Sequence, residues 1–261
     1  RRLGMSVALH IMGVTMMINN ETRRKLEELN LSEFIQAIDI QSKEPSYQAL
    51  PFEERLQLMV DYLYQEKYTN KVKRLNKMAK FRYPQATIED IYYTDRQLDR
   101  NKILSVATCQ FMSTNTNIII DGFTGSGKTF LACAIGKAAC KQGYRTRYIR
   151  MPDLLQLHDE ASTTVTGVAK LIKKFEGYTL LIIDEWLIDE LSRQQEHFLF
   201  ELMERRHTDK STILCTQYRI EDWHNRLGGG IHADAIIDRI VNNSIHIYSG
   251  ELNMRKIKTI L

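Results

Sequence analysis

Gly122-Phe123-Thr124-Gly125-Ser126-Gly127-Lys128-Thr129 fits the pattern GxxxxGK[ST], with Asn117-Ile118-Ile119-Ile120-Asp121 before it and Phe130-Leu131-Ala132-Cys133-Ala134-Ile135 after it. An apolar run, a glycine-rich octet and a second apolar run predict strand, loop and helix. The glycines let the backbone curl so that successive N–H groups face one point, and the helix that follows adds its positive end. Such a loop cradles the phosphates of a nucleoside triphosphate. Lys128 is expected to reach the β and γ phosphates and Thr129 to hold Mg²⁺. Phe130 completes the set of nucleotide-binding candidates that begins at Gly122.

Working outward from the loop, apolar strands and periodic helices alternate, as in a parallel sheet with right-handed crossovers. Strands are expected at Ile118–Ile120, Arg145–Arg150, Leu180–Ile183, Thr212–Cys215 and Ile245–Tyr248. Helices are expected at Thr129–Gln142, Pro152–Glu160, Val168–Glu176, Ser192–His207 and Ala233–Val241. Gly143 stands where a left-handed helix stop belongs, and Ser192-Arg193-Gln194-Gln195 has the form of a capping box.

The 261 residues have room for this α/β domain and a smaller module. Leu26, Leu29, Phe34, Ala37 and Ile38 recur at helical spacing, with a break near Asn30-Leu31-Ser32. Pro45 and Pro51 bracket a turn. Phe52 then opens a long periodic segment reaching about Lys80, and Pro84 follows it. Ile88–Tyr93 reads as an extended connector and Leu98–Met112 as a further helix. The domains expected are therefore a helical one over 17–84, a connector over 85–97 and the nucleotide domain over 98–261.

The net charge is only +4, but seven Lys or Arg residues and no acid lie between Lys67 and Arg82. Lys67, Lys71, Lys73, Arg74, Lys77, Lys80 and Arg82 are interleaved with Tyr68, Phe81 and Tyr83. That supplies cations for a polyanion's phosphates and rings for sugars or bases. A solvated helix face is the plainer reading of the same run. The four cysteines form no CxxC pair, so buried reduced thiols and a cytoplasmic setting are expected. Residues 1–18 have a basic start and an apolar middle but no small-x-small cleavage site. They read as an upstream extension ahead of Met17, and no other stretch is long and apolar enough to span a bilayer.

Leu180-Leu181-Ile182-Ile183-Asp184-Glu185 is an unbroken apolar strand ending in two acids. A strand buried on both faces reads this way, and ligands gather at the C-terminal ends of such strands. Asp184 is expected to hold Mg²⁺ through water, and Glu185 to polarise the water that attacks the γ phosphate. Thr216 or Gln217, at the end of the next strand, could sense that phosphate or simply cap the strand. Arg239, in the helix after Gly228-Gly229-Gly230, could reach a neighbouring subunit's nucleotide; spacing alone favours a salt bridge with Asp238 or Asp234.

Taken with Tyr47-Gln48-Ala49-Leu50-Pro51-Phe52-Glu53-Glu54-Arg55, Arg82-Tyr83-Pro84-Gln85-Ala86, Leu98-Asp99-Arg100, Ile183-Asp184-Glu185-Trp186, Asp222-Trp223-His224 and Asp234-Ala235-Ile236-Ile237-Asp238-Arg239, the pattern resembles the IstB-like transposition helper ATPases. These are AAA+ proteins close to replicative helicase loaders. The resemblance runs from about Asn20 to Arg255. It implies an α/β AAA+ core with a five-stranded parallel sheet ordered 5-1-4-3-2 behind a small helical domain. It also implies ATP as the nucleotide, self-assembly into homo-oligomers on duplex DNA, and a cognate transposase as partner. In site terms, it implies that Lys128 and Thr129 are the phosphate-loop pair, Asp184 and Glu185 the second acidic motif, Thr216 a sensor, and Arg239 a finger completing a neighbour's site. After Tyr248 the sequence runs for 13 residues, short of the helical lid many AAA+ proteins carry, which leaves Arg255 as a candidate for the lid's arginine.

Rival readings remain at this stage. A helicase loader would share the core, a small-molecule kinase would share the loop but not the acid pair or the basic helix, and a nucleotide-gated scaffold would bind ATP without turning it over. The base pocket is expected near Leu98–Ile103.

Overall fold

The computed structural model describes residues 18–257. The proposed extension over residues 1–16 lies outside them. The described residues form two compact units that divide between Lys71 and Val72, each with its own packing.

In the first unit, α1 (Asn20–Glu28) starts at Asn19, whose side chain accepts the Thr22 N–H. Asn30 takes a left-handed turn at φ 57°, and α2 (Ser32–Lys43) follows. The Pro45–Pro51 turn contains one short helix, α3 (Pro45–Gln48). The long helix α4 spans Phe52–Ala79, as its periodicity predicts. Ile35, Ala37 and Met59 are buried here. Gln41 is buried with them and satisfied twice, donating to the Arg55 carbonyl at 2.9 Å and accepting from Arg55 Nε at 3.2 Å.

The unit boundary falls inside α4, whereas the composition reading places the end of the helical domain at residue 84. The reason is hydrophobic. Leu75 and Ala79 share one core with Phe81, Ala86, Ile91 and Leu98, so the last turns of α4 belong to the second unit.

That unit is a parallel sheet with helices on both faces. Its strands are β1 (Asn117–Asp121), β2 (Thr146–Arg150), β3 (Leu180–Asp184), β4 (Ser211–Thr216) and β5 (Ser244–Tyr248), in the order β2-β3-β4-β1-β5. This is the order the resemblance implies, read from the other edge. Ile118 and Ile120, Leu180 and Ile182, and Ile213 and Cys215 face one core; Ile119, Leu181, Ile183 and Leu214 face the other. Both faces are covered, so the central strands are apolar throughout rather than alternating.

Before the sheet, the segment expected to be one helix breaks in two. Helix α5 (Arg100–Ala107) is capped by Asp99, which accepts from the Asn101 and Lys102 N–H groups. Cys109, at φ 58°, then turns the chain into a short 3-10 helix over Gln110–Met112. Helix α6 (Lys128–Lys141) follows the glycine-rich loop and stops at Gly143, φ 87°. Its Gly136 lets it lie against the sheet: a Cβ there would stand 2.6 Å from Phe81 and 2.7 Å from Ile182.

The opposite face carries α7 (Met151–Ala161), α8 (Gly167–Glu176), α9 (Arg193–Arg206), α10 (Ile220–Arg226) and α11 (Gly230–Val241). Ser192 and Gln195 form the expected reciprocal capping box at the start of α9. Helix α10 was not anticipated. It is only seven residues long, too short for a periodic signal, and its anchor is the fully buried Trp223. Beyond β5, α12 (Met254–Ile257) forms a single turn. Among the described residues, no helix is long and apolar enough to cross a membrane. All four cysteines are buried and unbridged.

Candidate active site

Parallel pairing puts Asp121 beside Thr216 and Arg150 beside Asp184, so the C-terminal ends of β1 to β4 converge at one edge. The glycine-rich loop leaves this edge between β1 and α6. Gly125 and Gly127 hold φ of 86° and 92°, a region that costs any residue with a Cβ. Lys128 Nζ donates to the carbonyls of Gly122 at 2.7 Å and Phe123 at 2.9 Å, so its ammonium lies along the loop. Burial lowers its pKa, and the charge of Arg255 pushes the same way against the pull of Cys215, Asp184 and Asp121.

Asp184 is 2 % exposed and fully engaged. Thr129 Oγ1 donates to its Oδ2 at 2.8 Å and Tyr148 Oη to the same oxygen at 2.7 Å, while the Glu185 N–H donates to Oδ1 at 3.0 Å. Burial, then the neighbouring Asp184 charge, raises the Tyr148 phenol well above its ordinary pKa, which keeps it a donor. A hydroxyl and a carboxylate in contact, all hard oxygen, suit Mg²⁺. That ion fills its remaining positions with water and substrate phosphates, so a hydroxyl and a carboxylate reached through water are enough. Tyr148 was not singled out in the sequence; only the pairing of β2 with β3 brings it here.

Glu185 sits at φ 59°, turned out of the strand direction. Its Oε2 accepts from Arg150 Nε at 2.9 Å and its Oε1 from Arg82 Nη1 at 3.2 Å. Arg82, read as a nucleic-acid contact, is therefore engaged at the acid pair.

At the end of β4, the two polar candidates separate. Thr216 is buried, its hydroxyl donating to the Trp186 carbonyl at 3.2 Å and accepting the Tyr218 N–H at 3.0 Å. Gln217 is the one that meets the loop, its Oε1 accepting from Thr124 Oγ1 at 2.8 Å. Strand alternation points one of two neighbours inward and the other outward, and the sequence does not say which.

Beside the loop lies a cavity of about 560 Å³, lined in part by Tyr83, Asp90, Tyr92, Arg96, Lys128 and Phe130. Leu98 and Ile103, expected near the base, are instead core residues at 6 % and 0 % exposure. Arg96 is the other residue the sequence did not mark. No motif surrounds it, and it reaches the loop only through the Tyr93–Arg96 turn, closed by the Arg96 N–H on the Tyr93 carbonyl at 3.2 Å.

Arg239 stands away from this cavity. Its guanidinium pairs with Glu204, donates to the Ala235 carbonyl at 2.9 Å, and lies 5.3 Å from the Phe200 ring centre. The salt bridge expected from spacing exists, but with Glu204 of α9. Asp234 meets His224 and Asp238 accepts from Asn242 instead.

Of the other basic candidates, Lys67 donates to the Asn30 carbonyl at 2.7 Å. Lys71, Lys73, Arg74, Lys77 and Lys80 are exposed and enter no ion pair with an acid among the described residues.

The chain is similar to known proteins along most of its length. The family model for the IstB-like ATP binding protein matches residues 24–259. Two proteins of Sinorhizobium fredii, named for an insertion sequence and for ATP binding, are 29 % and 32 % identical. They align over 93 % and 90 % of this chain and 97 % and 96 % of their own. An insertion sequence IS1162 ATP-binding protein of Pseudomonas fluorescens is 32 % identical over 77 % of this chain and 87 % of its own. Among solved structures, the DnaC helicase loader superposes with a TM-score of 0.54 at 23 % identity, covering 64 % of this chain and 98 % of that one. AMPPCP-bound DnaA from Aquifex aeolicus gives 0.52 at 21 %, covering 63 % and 50 %. These two likenesses speak to the fold, which is that of the AAA+ proteins. The chain belongs to the IstB-like family of insertion-sequence ATP-binding proteins.

Proposed function

We propose that the chain is an ATPase that assembles on duplex DNA with ATP bridging its subunits, remodels that DNA and recruits or stimulates the transposase of its own insertion sequence. Hydrolysis then drives disassembly. The observation that carries the ATPase part is the contact between Thr129 of the phosphate loop and Asp184 at the end of β3, 2.8 Å apart, with Glu185 next in the chain. A loop that only needed to turn would not require a hydroxyl and a buried carboxylate to meet there.

In this reading the loop N–H groups and Lys128 bind the phosphates, with Lys128 exchanging its carbonyl partners for phosphate oxygens. Thr129 and Asp184 hold Mg²⁺, which supplies neutralisation of phosphate charge. Glu185 accepts the proton of the attacking water. Gln217, bonded to Thr124 of the loop, orients that water, and Thr216 supports the turn that carries Gln217. Tyr83, Tyr92 and Phe130 offer apolar faces for the base, with Asp90 as a polar partner. Arg239 of a neighbouring subunit steadies the transferred phosphoryl charge. The free cations of α4 meet the DNA backbone, largely without regard to sequence.

Glu185→Gln tests the hydrolytic role. Losing the base should cut turnover by about 10²- to 10⁴-fold while leaving nucleotide affinity close to wild type. ATPase assays beside fluorescent-nucleotide titrations read both quantities, and a variant with normal turnover would exclude Glu185 as the base.

A further inference from the structure

Arg96 gathers carbonyls from three separate segments. Nη1 donates to Tyr92 at 2.9 Å, and Nη2 donates to Ser126 of the phosphate loop at 2.6 Å and to Ser249 at 2.9 Å. Its Nε is buried without a hydrogen-bond partner. Burial lowers its pKa. A guanidinium carries its charge over a planar fork of five donors, so it binds these three carbonyls in one fixed plane, which a lysine's rotating point charge cannot reproduce.

Ser249 opens the segment that follows β5, and this segment runs back over the loop as a strap. Ser249 Oγ lies 2.6 Å from Ser126 Oγ and donates to the Asp121 carbonyl at 2.9 Å. The Gly250 carbonyl accepts the Phe123 N–H at 3.3 Å, and the Met254 N–H donates to the Gly125 carbonyl at 2.9 Å. Asn253 sits so close to Gly125 that a Cβ there would stand 2.6 Å from its Oδ1. Met254 and Arg255 line the same cavity as Lys128 and Thr129. The strap thus touches the phosphate loop at Phe123, Gly125 and Ser126, and Arg96 ties the two together. It also spends loop groups, since the Phe123 N–H is given to Gly250.

We propose that Arg96 is a positioning residue that fastens the 249–257 strap to the phosphate loop, so that a nucleoside triphosphate entering the loop draws the strap down over its phosphates. The inference rests on the nucleotide reading above and adds to it a moving part. Phosphate entry reorders the loop backbone; the Ser126 and Gly125 carbonyls move with it, and the strap follows because Arg96 and the Met254 N–H hold those same carbonyls. Closure over the phosphates then excludes water from the charged site.

The test is hydrogen exchange across 249–257 in the full chain, with and without a slowly hydrolysed ATP analogue and Mg²⁺, alongside fluorescent-nucleotide titration. Nucleotide should slow exchange in the strap of the wild-type protein. Arg96→Lys keeps the charge but not the fork. It should lose that nucleotide-dependent slowing and bind nucleotide roughly 10-fold more weakly. Met254→Pro removes one N–H at the first position of a helix, where proline is tolerated, and it should do the same without Arg96 being touched. If Arg96→Lys does not fold, Met254→Pro decides.

A merely structural role would change exchange equally with and without nucleotide. Slowing that persists in either folded variant, or a wild-type strap indifferent to bound nucleotide, would overturn the inference and leave the ATPase reading standing. A wild type that binds no nucleotide, indistinguishable from Lys128→Ala, would overturn both.

Discussion

Arg150 holds Glu185 by a 2.9 Å hydrogen bond between Nε and Oε2, and Arg82 occupies the other carboxylate oxygen. The bond to Glu185 is the main cause raising the Arg150 pKa. With a guanidinium donor on each oxygen, the carboxylate must let one go before it can aim a lone pair at a water.

Arg150→Ala should therefore loosen Glu185 and raise DNA-independent ATP turnover by a few-fold, with a smaller further increase on adding DNA. Steady-state ATPase rates with and without duplex DNA measure this. A fall in the basal rate would assign Arg150 a supporting rather than a restraining part.

Arg239 is half of a pair with Glu204 and packs on Phe200, within its own subunit. To act on a neighbour's nucleotide it must exchange that pair. Arg239→Ala is expected to keep ATP affinity and lose DNA-stimulated turnover by about 10²-fold or more. Mixing it with Lys128→Ala should restore part of the activity, since a Lys128→Ala subunit still supplies the arginine that the intact phosphate loop of an Arg239→Ala neighbour lacks. No recovery, with normal turnover in Arg239→Ala alone, would return the residue to a surface ion pair.

The exposed cations of α4 should bind duplex DNA through its phosphates. Charge reversal of Lys73, Arg74 and Lys77 together is expected to abolish binding at moderate salt, and wild-type affinity should fall steeply as salt rises. Fluorescence anisotropy with two unrelated duplexes reads affinity, salt slope and sequence dependence at once. Unchanged affinity in the triple variant would place the DNA elsewhere.

Arg206 is 1 % exposed and serves the fold alone. Its guanidinium donates to the carbonyls of Phe175 at 2.9 Å, Tyr178 at 2.7 Å and Ser211 at 2.6 Å, and to Thr212 Oγ1 at 3.2 Å. Arg206→Ala strands those carbonyls and opens a void, so it should lower stability by about 3–5 kcal/mol. Urea unfolding gives the figure, and a loss under about 1 kcal/mol would mean that water replaces the side chain.

The sheet was legible because each buried strand is a short apolar run with a turn at its end, and the phosphate loop because its spacing is itself the mechanism. Lys128, Thr129 and Asp184 carry such local signals. Tyr148 and Arg96 do not: each owes its place to strand pairing or to a turn from elsewhere in the chain, while Gln217 was marked together with Thr216 and only the facing of the strand end separates the two. The place of Arg82 beside the acid pair was hidden for the same reason. Its neighbours made a basic run, while its own partner, Glu185, is 103 positions away. The α5 segment misled in another way, since Cys109 takes a left-handed conformation that nothing in its residue type announces.

The most direct measurement is light scattering of the protein with duplex DNA, with no nucleotide, with a slowly hydrolysed ATP analogue, and with Lys128→Ala in both conditions. If ATP bridges subunits on DNA, large protein–DNA assemblies should form only with the analogue and only when Lys128 is present. A particle of one subunit, indifferent to DNA and nucleotide alike, would contradict that assembly and point to an enzyme that phosphorylates small molecules.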